Sequence, residues 1–370
     1  MKSSLIIYPL SHTKVDGFTR VGFKLEYKGK QVKHIWIDYP ENIELPDESV
    51  CNAYILLIIF EAMKFGLDIE VMGIIDKKLL SNLREYVLLW AMWCPHLYKK
   101  INISANTQNI GTLKLNGGIL AFSGGLDAAF SAHNFKNKKD DFEKLKYGVF
   151  VWGLDISLEK TKEFRIAFQK ATNILKSINI QIIPVRTNFK IQSSANYNHS
   201  HAAALIGIMG NLLSLGNQLI IGASDWYDNL EIPWGSSPVG DYLLGSSEYT
   251  VIHDGCGHTR TQKMAALRDW PEALNNLRVC WRGEDKSKNC MNCEKCFRTF
   301  MHFKANKMQP NSNLNFEGDI SENLSSIGLA NDKKPHYFKY YEDIYIEAKR
   351  NKVKDVWVDV LGEIIGFKAQ

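Results

Sequence analysis

The sequence predicts an α/β protein, built on a parallel β-sheet with helices on both faces. From residue 117 onward, short apolar runs alternate with helical patterns, and this alternation is typical of parallel sheets. A turn of small residues at 123–127 follows the first run directly, and four of the seven cysteines cluster between residues 280 and 296. We therefore expect a tight first strand–helix connection and a metal-binding loop late in the chain.

Length and composition predict several units. The 370 residues exceed one average domain, and we expect a smaller α+β domain at 1–112, the parallel-sheet domain at 113–308, and a polar linker with a helical cap at 309–370. The net charge of +5 comes from interspersed residues, so nucleic-acid contact is neither predicted nor excluded. The longest apolar run, 53–60, is too short for a bilayer, so we expect a soluble cytoplasmic protein.

The first unit shows clear patterns of strand and helix but no catalytic cluster. Its predicted elements are a hairpin with strands at 24–27 and 32–38, a helix at 50–65, a strand at 67–75 and a helix at 77–93. Trp90, Trp93 and His96 are interpreted as core, with a pocket or a dimer interface as the alternative.

The second unit contains the predicted parallel sheet. Its strands are expected at 119–122, 147–153, 180–185 and 218–222, and its helices at 128–133, 158–178 and 201–215. Ligands of such sheets bind at the carboxyl ends of the strands. Polar residues that follow the predicted strands are therefore candidates: Asp155, Arg186, Asn188, Ser224 and Asp225.

The turn after the first of these strands has the features of an anion site. Backbone N–H groups at a helix start point outward, and the helix dipole favours negative charge there. Gly124 and Gly125 permit a phosphate to approach the backbone closely, and Leu126 adds a further backbone N–H group. The Ser123 hydroxyl can donate to a phosphate oxygen. Asp127 would repel a bare phosphate, which suggests Mg²⁺ between carboxylate and phosphate.

The order Ser-Gly-Gly-Leu-Asp at 123–127 resembles the pyrophosphate loop (PP-loop) of the N-type ATP pyrophosphatase superfamily. The family pattern is Ser-Gly-Gly-x-Asp-Ser, and Ala128 stands at its last position. The resemblance implies that the chain binds ATP, adenylates a substrate and releases pyrophosphate. The alternative is a tight βα turn of any doubly wound fold.

Three residues near the expected strand ends are candidates for nucleotide contacts. Asp155 follows the second strand, where related enzymes bind ribose and adenine; a helix N-cap is the alternative. Arg186 suits an anionic contact, because guanidinium matches carboxylate and phosphate geometry. His201, with the neighbouring His199, precedes or opens a helix at the expected mouth of the site.

The stretch 223–258 is long, irregular and polar, as functional loops often are. We expect Trp226, Tyr227 and Trp234 to stack on a planar substrate and Asp241 to accept hydrogen bonds from it, and Asp225 is a further candidate for the substrate site. His253, Asp254, Cys256 and His258 are a weaker candidate for a second metal site, and Cys256 alone for a nucleophile.

Two cations open the next helix. Arg260 and Lys263 lie three residues apart and therefore on one face. They resemble the residues that hold phosphate opposite the loop in related enzymes, and with Asp127 they form the predicted catalytic set. An ordinary solvated helix face is the alternative.

The cysteine cluster predicts a metal site. Cys290, Cys293 and Cys296 form two overlapping Cys-x-x-Cys steps, and Cys280 lies ten residues upstream. Four thiolates at such spacing can bind Zn²⁺ tetrahedrally and leave no open position, so the site should be structural. An iron–sulfur cluster is the rival.

A pyrophosphate loop followed by these cysteines resembles the 7-cyano-7-deazaguanine synthase family over about residues 117–305. The resemblance implies a ligase that uses ATP, Mg²⁺ and Zn²⁺, adenylates a carboxylate and captures ammonia or an amine. The substrate would be a deazaguanine-like small molecule or a protein. The chain departs from the family in its N-terminal unit, in Ala128 and in the 223–258 stretch.

Two other functions stay open, a sulfur transferase that acts on a tRNA base and a nucleotide-binding module without catalysis. Residues 337–365 are expected to be helical and to dock on the core or on a second copy in a homodimer.

Overall fold

The structure is a computed structural model that describes residues 4–111, 114, 116–136, 138–140, 143–311, 313–326 and 335–367. Within these ranges, ten strands form one sheet in the order β10-β9-β6-β7-β8-β3-β2-β1-β4-β5. Six neighbouring pairs are parallel and three are antiparallel. The α/β class is confirmed, and the sheet is mixed rather than wholly parallel.

The first part of the chain forms the half of the sheet that contains the antiparallel strands. Its elements are β1 (Ser4–Val15), β2 (Phe18–Tyr27), β3 (Lys30–Pro40), α1 (Asn52–Phe65), β4 (Asp68–Asp76), α2 (Lys77–Trp93) and β5 (Ile103–Gln108). The predicted hairpin is confirmed, because Lys28 and Gly29 adopt the positive φ angles of a tight turn. Gly66 ends α1 in the left-handed conformation, as its position predicts. Trp90 is buried in the core, as interpreted, and Trp93 is partly buried, but His96 is exposed and the core interpretation is wrong for it.

The second part forms the parallel half. Its elements are β6 (Gly118–Ala121), α3 (Leu126–Lys136), β7 (Leu145–Trp152), α4 (Thr161–Lys176), β8 (Gln181–Thr187), α5 (Phe189–Gln192), α6 (Tyr197–Met209), β9 (Gln218–Gly222) and β10 (Thr250–Asp254). Every predicted strand and helix of this unit is present, and β10 is an addition inside the stretch expected to be irregular.

Helices cover both faces of the parallel half, as predicted. Ile119 and Leu219 pack with α1 and α6 in one core. Their chain neighbours Leu120 and Ile220 pack with α3 and α4 in another. Side chains alternate between the faces of a strand, so the two cores lie on opposite sides of the sheet.

The two halves of the sheet join where β3 pairs with β8. The register is antiparallel and sets Asp38 opposite Arg186. Asp38 is fully buried, and it accepts hydrogen bonds from Arg20 at 2.7 Å and from Arg186 at 2.6 Å. The sheet therefore runs without a break from the first predicted unit into the second. The expected boundary at 112–113 lies outside the described residues.

The last part of the chain is helical. Its elements are α7 (Arg260–Ala266), α8 (Pro271–Asn276), α9 (Glu294–Ala305), α10 (Ile320–Ser326), α11 (Pro335–Arg350) and α12 (Val356–Ile364). The span predicted at 337–365 is two helices, and residues 327–331 of the predicted linker lie outside the described ranges. Phe300 of α9, Tyr341 of α11 and Trp357 of α12 share a third core. The cap therefore docks on its own chain. In the ranges described, no helix is long and apolar enough to cross a bilayer.

Candidate functional site

A cavity of about 980 Å³ lies at the carboxyl ends of β6, β7 and β9. The turn between β6 and α3 forms one wall, and Asp155, His201 and Trp234 line other parts. Its position agrees with the expectation for a parallel sheet, because strand ends and helix starts converge at this edge.

The turn has the strand–turn–helix geometry that its sequence predicts. Gly124 has a φ of 78°, which a residue with a Cβ rarely adopts. The helix begins inside the turn, since Ala129 N donates to Gly125 O at 2.9 Å. Gly222, at the end of β9, makes the close approach possible, because a Cβ there would lie 2.8 Å from the carbonyl of Asp127.

Asp127 joins the turn to the cations of α7. Its carboxylate lies 3.2 Å from Arg260 Nη2 and 3.5 Å from Lys263 Nζ. Burial acts to raise the pKa of Asp127, but Arg260, Lys263 and Lys295 outweigh burial and hold that pKa below its ordinary value. Asp127 is therefore ionised at neutral pH and faces a positive environment.

Arg260 and Lys263 do not form a solvated helix face. Arg260 is 8% exposed and Lys263 is 1% exposed. The Thr259 and Gln262 capping box fixes the start of α7, and Lys263 Nζ also donates to Ala223 O at 2.6 Å. Both cations are thus held at the end of β9 by the local structure.

Six cations that the sequence did not predict line the cavity, and three of them lie in or next to the cysteine loop and α9. Arg278, Lys295 and Arg298 all line the cavity. Arg278 is 5% exposed and Arg298 is 4% exposed, yet Arg278 Nε and Arg298 Nη1 have no hydrogen-bond partner among the described residues. Burial and the nearby Arg260 lower the pKa of Lys295 to about 8. The sequence feature that could have identified them is the presence of basic residues beside and between the clustered cysteines.

Buried guanidinium N–H groups without partners indicate an anionic ligand. A buried charge costs several kcal/mol unless it is paired. The Arg278 guanidinium has only a distant acid, Asp155 at 3.9 Å, and Arg298 pairs through Nε with Glu294 at 2.9 Å. The N–H groups without partners are those that a bound anion would satisfy.

Asp155, His201 and Trp234 line the cavity as predicted. The N-cap alternative for Asp155 is wrong, because Lys160 is the cap of the next helix. The His201 and Trp234 rings lie 5.6 Å apart, and burial lowers the pKa of His201. These two rings form a neutral aromatic wall. His199 is directed elsewhere, with its Nδ1 2.9 Å from the Tyr98 hydroxyl.

Other predicted site residues are not among those that line the cavity: Gly124, Arg186, Asn188, Asp225, Trp226, Tyr227, Asp241 and Lys263. Arg186 is engaged at the β3–β8 junction. Asp225 accepts a hydrogen bond from Tyr340, and the Trp226 ring packs on the same tyrosine at 5.6 Å. The C-terminal cap thus occupies the position expected for a substrate.

Asp241 belongs to a buried network beside the cavity. It accepts hydrogen bonds from Ser236 Oγ at 2.7 Å and Ser237 N at 3.0 Å, and His253 Nδ1 lies 2.8 Å away. Burial acts to lower the pKa of His253, but its hydrogen bonds to Asp241 and Cys256 raise it to about 9. Asp241 and His253 therefore form an ion pair. Of this network, Ser236 lines the cavity.

The four clustered cysteines form a group compatible with a metal such as zinc. Their Sγ atoms all lie within 4.8 Å of one another. The Cys280–Cys290, Cys280–Cys293 and Cys290–Cys296 sulfur pairs are 3.4, 3.9 and 3.9 Å apart. Zn–S bonds of about 2.3 Å in a tetrahedron place sulfurs ~3.8 Å apart, so the donor set fits. Across the described ranges it is the sole such group, and the predicted site at 253–258 is not one.

The cysteine loop is anchored beside the turn. Arg278 N donates to Gly124 O at 2.8 Å. The Asn289 side chain accepts from Val279 N at 2.9 Å and from Cys280 N at 3.2 Å. A metal bound by four thiolates would therefore hold the segment that brings Arg278, Lys295 and Arg298 to the cavity.

Comparisons with family models, curated proteins and solved structures gave no match to this chain.

Proposed function

We propose that this protein is an ATP-dependent ligase of the 7-cyano-7-deazaguanine synthase type. It would adenylate a substrate carboxylate, release pyrophosphate and transfer the acyl group to ammonia or an amine. The observation that carries the proposal is one cavity that is lined both by residues of the Ser123–Asp127 turn and by Arg278 and Arg298, whose buried guanidinium groups each keep one nitrogen without a hydrogen-bond partner in the described structure.

The charge of the cavity wall favours a polyphosphate over a single carboxylate. The cationic residues of the wall are Lys190, Arg260, Arg278, Arg282, Lys286, Lys295 and Arg298. Asp127 and Asp155 are the acidic residues of the described wall. At an effective dielectric constant near 20, each opposite pair at 4 Å gains about 4 kcal/mol before desolvation. A triphosphate supplies enough negative charge to satisfy several of these cations at once.

The proposed chemistry uses positioning and electrostatics. A carboxylate oxygen attacks the α-phosphorus, the bond to the bridging oxygen breaks, and pyrophosphate leaves with the electron pair into the turn. Arg260, which lines the cavity, stabilises the developing charge. Lys263 does not line it, and its part is to hold Asp127 from behind. Mg²⁺, when bound, would neutralise phosphate charge, and the ionised Asp127, whose side chain is 21% exposed, is the carboxylate that fits it.

The opposite wall suits a planar acyl substrate. His201 and Trp234 offer ring surface, and the Trp234 Nε1 is a buried donor without a partner in the described structure. A cavity of about 980 Å³ lies at the upper end of the size of small-molecule sites. It therefore has room for a nucleotide and a heterocyclic carboxylate together.

The metal of the cysteine cluster is proposed to be zinc, at one ion per chain. Four thiolates close the coordination sphere, so the metal supplies structure to the 278–298 segment. Elemental analysis that finds iron and acid-labile sulfide instead would favour the sulfur-transferase alternative.

Product analysis tests the proposal. The purified protein is incubated with ATP, Mg²⁺, a carboxylated deazaguanine and ammonia, and the nucleotide products are separated. AMP and pyrophosphate are expected, and ATP–pyrophosphate exchange should occur without ammonia. ADP and phosphate would contradict the proposal, and tight ATP binding without cleavage would favour a nucleotide-binding module.

A further inference from the structure

A buried histidine of α9 lies on the cavity wall outside the predicted catalytic set. His302 is 1% exposed and lines the cavity. Its Nδ1 lies 2.9 Å from Thr261 Oγ1, and the Thr261 hydroxyl donates to Asp343 Oδ2 at 2.6 Å. A chain of hydrogen bonds therefore runs from the cavity through α7 to α11.

The chain of hydrogen bonds fixes the tautomer of His302. A hydroxyl has one hydrogen, and that of Thr261 is given to the Asp343 carboxylate. Thr261 Oγ1 must then accept from the ring, so Nδ1 carries the proton and Nε2 keeps a lone pair. Within the part of the chain that the structure describes, the side-chain hydrogen bond of His302 is made by Nδ1. Nε2 is thus the nitrogen available to the cavity.

Burial and cations on two helices keep the ring neutral. Burial, together with Arg298 of α9 and Arg260 of α7, holds the pKa of His302 well below its ordinary value. Burial also raises the pKa of Asp343 to about 6, against the hydrogen bonds from Thr261 and Thr259 and with a contribution from Glu347 of α11. At neutral pH the carboxylate is ionised, and it holds a neutral imidazole in one orientation.

We propose that His302 is the general base of acyl transfer, with Thr261 and Asp343 as the residues that position it. The inference rests on the proposed function. As the nitrogen of ammonia or an amine bonds to the acyl carbon, that nitrogen loses a proton to His302 Nε2. The bond between the acyl carbon and AMP breaks, and AMP leaves with the electron pair. Adenylation itself requires no base, because its nucleophile is a carboxylate.

The test separates the two half-reactions. ATP–pyrophosphate exchange reports adenylation, and single-turnover amide formation with ammonia reports transfer. For His302→Gln we expect exchange within a few-fold of the wild type and transfer at least ~100-fold slower. The exposed His96 supplies a matched control, since His96→Gln should leave both rates unchanged. Intact exchange with unchanged transfer would overturn the role of His302, whereas absence of exchange in the wild type would overturn the proposed function.

The roles of Thr261 and Asp343 are tested by the pH dependence of the transfer rate. The rate of transfer in the wild type should fall as the pH drops below about 6, where Asp343 becomes protonated. The Thr261 hydroxyl then no longer has to donate to Asp343, so it no longer holds the proton of His302 on Nδ1. Thr261→Val should slow transfer and remove that inflection, and Thr261→Ser should restore both. An inflection that persists in Thr261→Val would contradict the chain of hydrogen bonds.

A measurement that needs no substrate covers variants that fail to fold. Nitrogen NMR of the wild-type protein at pH 7 should find His302 Nδ1 protonated and His302 Nε2 unprotonated. The signals of His302 are assigned by their loss in His302→Gln or, should that variant not fold, in His302→Asn. A ring protonated on Nε2 would overturn the proposal whatever the activity of the variants.

Discussion

Segments 223–258 and 278–298 both contain long irregular stretches rich in charged and aromatic residues, but they use their charges differently. In 223–258 the acids are paired, Asp225 with Tyr340 and Asp241 with His253. In 278–298 two buried guanidinium groups keep N–H groups without partners. Buried charges that are paired stabilise the fold, whereas buried N–H groups without partners indicate a ligand. We therefore expect substitutions in 223–258 to lower stability and substitutions in 278–298 to weaken ligand binding.

The largest expected effect is on stability, at Asp241. Asp241→Asn should lower the free energy of unfolding by about 3–5 kcal/mol, because it leaves the buried His253 charge without its partner. ATP affinity should stay unchanged in the protein that remains folded. Denaturant unfolding and ATP titration measure the two quantities, and a normal stability with weakened ATP binding would reverse the assignment of this segment.

Asp127 should show the opposite behaviour. Asp127→Asn should reduce turnover by a factor of hundreds, because a charge that organises Arg260 and Mg²⁺ at the reacting phosphate is lost. Ser123→Ala should cost less, since it removes one hydrogen bond among several. Steady-state kinetics measures both, with Asp269→Asn as an exposed matched control. Equal losses in Asp127→Asn and Asp269→Asn would contradict a specific role.

The Asp241–His253 pair also predicts a pH dependence of stability. The pKa of His253 is about 9 in the folded protein and about 6.5 in an unfolded chain. Because the folded value is higher, the stabilisation is complete below pH ~6.5 and is lost as the pH rises through about 9. The difference corresponds to about 3 kcal/mol. Unfolding curves across this range should lose the dependence in His253→Gln, and an unchanged slope would exclude the pair as its source.

The smallest effect is expected for the guanidinium groups of the second segment. Arg278→Met and Arg298→Met should each weaken ATP binding about 10-fold to 100-fold. Without ligand, the melting temperature of Arg278→Met should stay constant or rise, because the nearest acid to this guanidinium is 3.9 Å away. The melting temperature of Arg298→Met should fall, because Glu294 loses its partner at 2.9 Å. A fall in melting temperature by several degrees, with ATP affinity intact, would mean that these residues are structural.

The sequence predicts features that are local in the chain. The 123–127 turn and the four cysteines are compact motifs, and both have the expected geometry. The strands of the parallel half follow from apolar runs, whereas β10 was missed because it lies in a stretch whose composition is polar. Local patterns carry no information on which distant segments become neighbours.

The rest of the site depends on contacts between distant segments. Lys295, Arg298 and His302 reach the cavity only because α9 docks beside α7, and their spacing alone resembles that of a surface helix. Arg186 was predicted to bind an anion, but the pairing of β3 with β8 supplies Asp38 instead. Trp226 and Asp225 meet Tyr340, which lies 115 residues from Asp225 along the chain. No periodicity in the sequence encodes such a pairing.

The most direct test of the central claim is a calorimetric titration of the wild type and of the Arg278→Met, Arg298→Met double variant with Mg-ATP and with pyrophosphate. We expect both ligands to bind the wild type and to bind far more weakly to the variant, which should still be folded at the temperature of the titration. No binding of either ligand to the wild type at millimolar concentration would contradict the central claim, as would equal affinities in the two proteins.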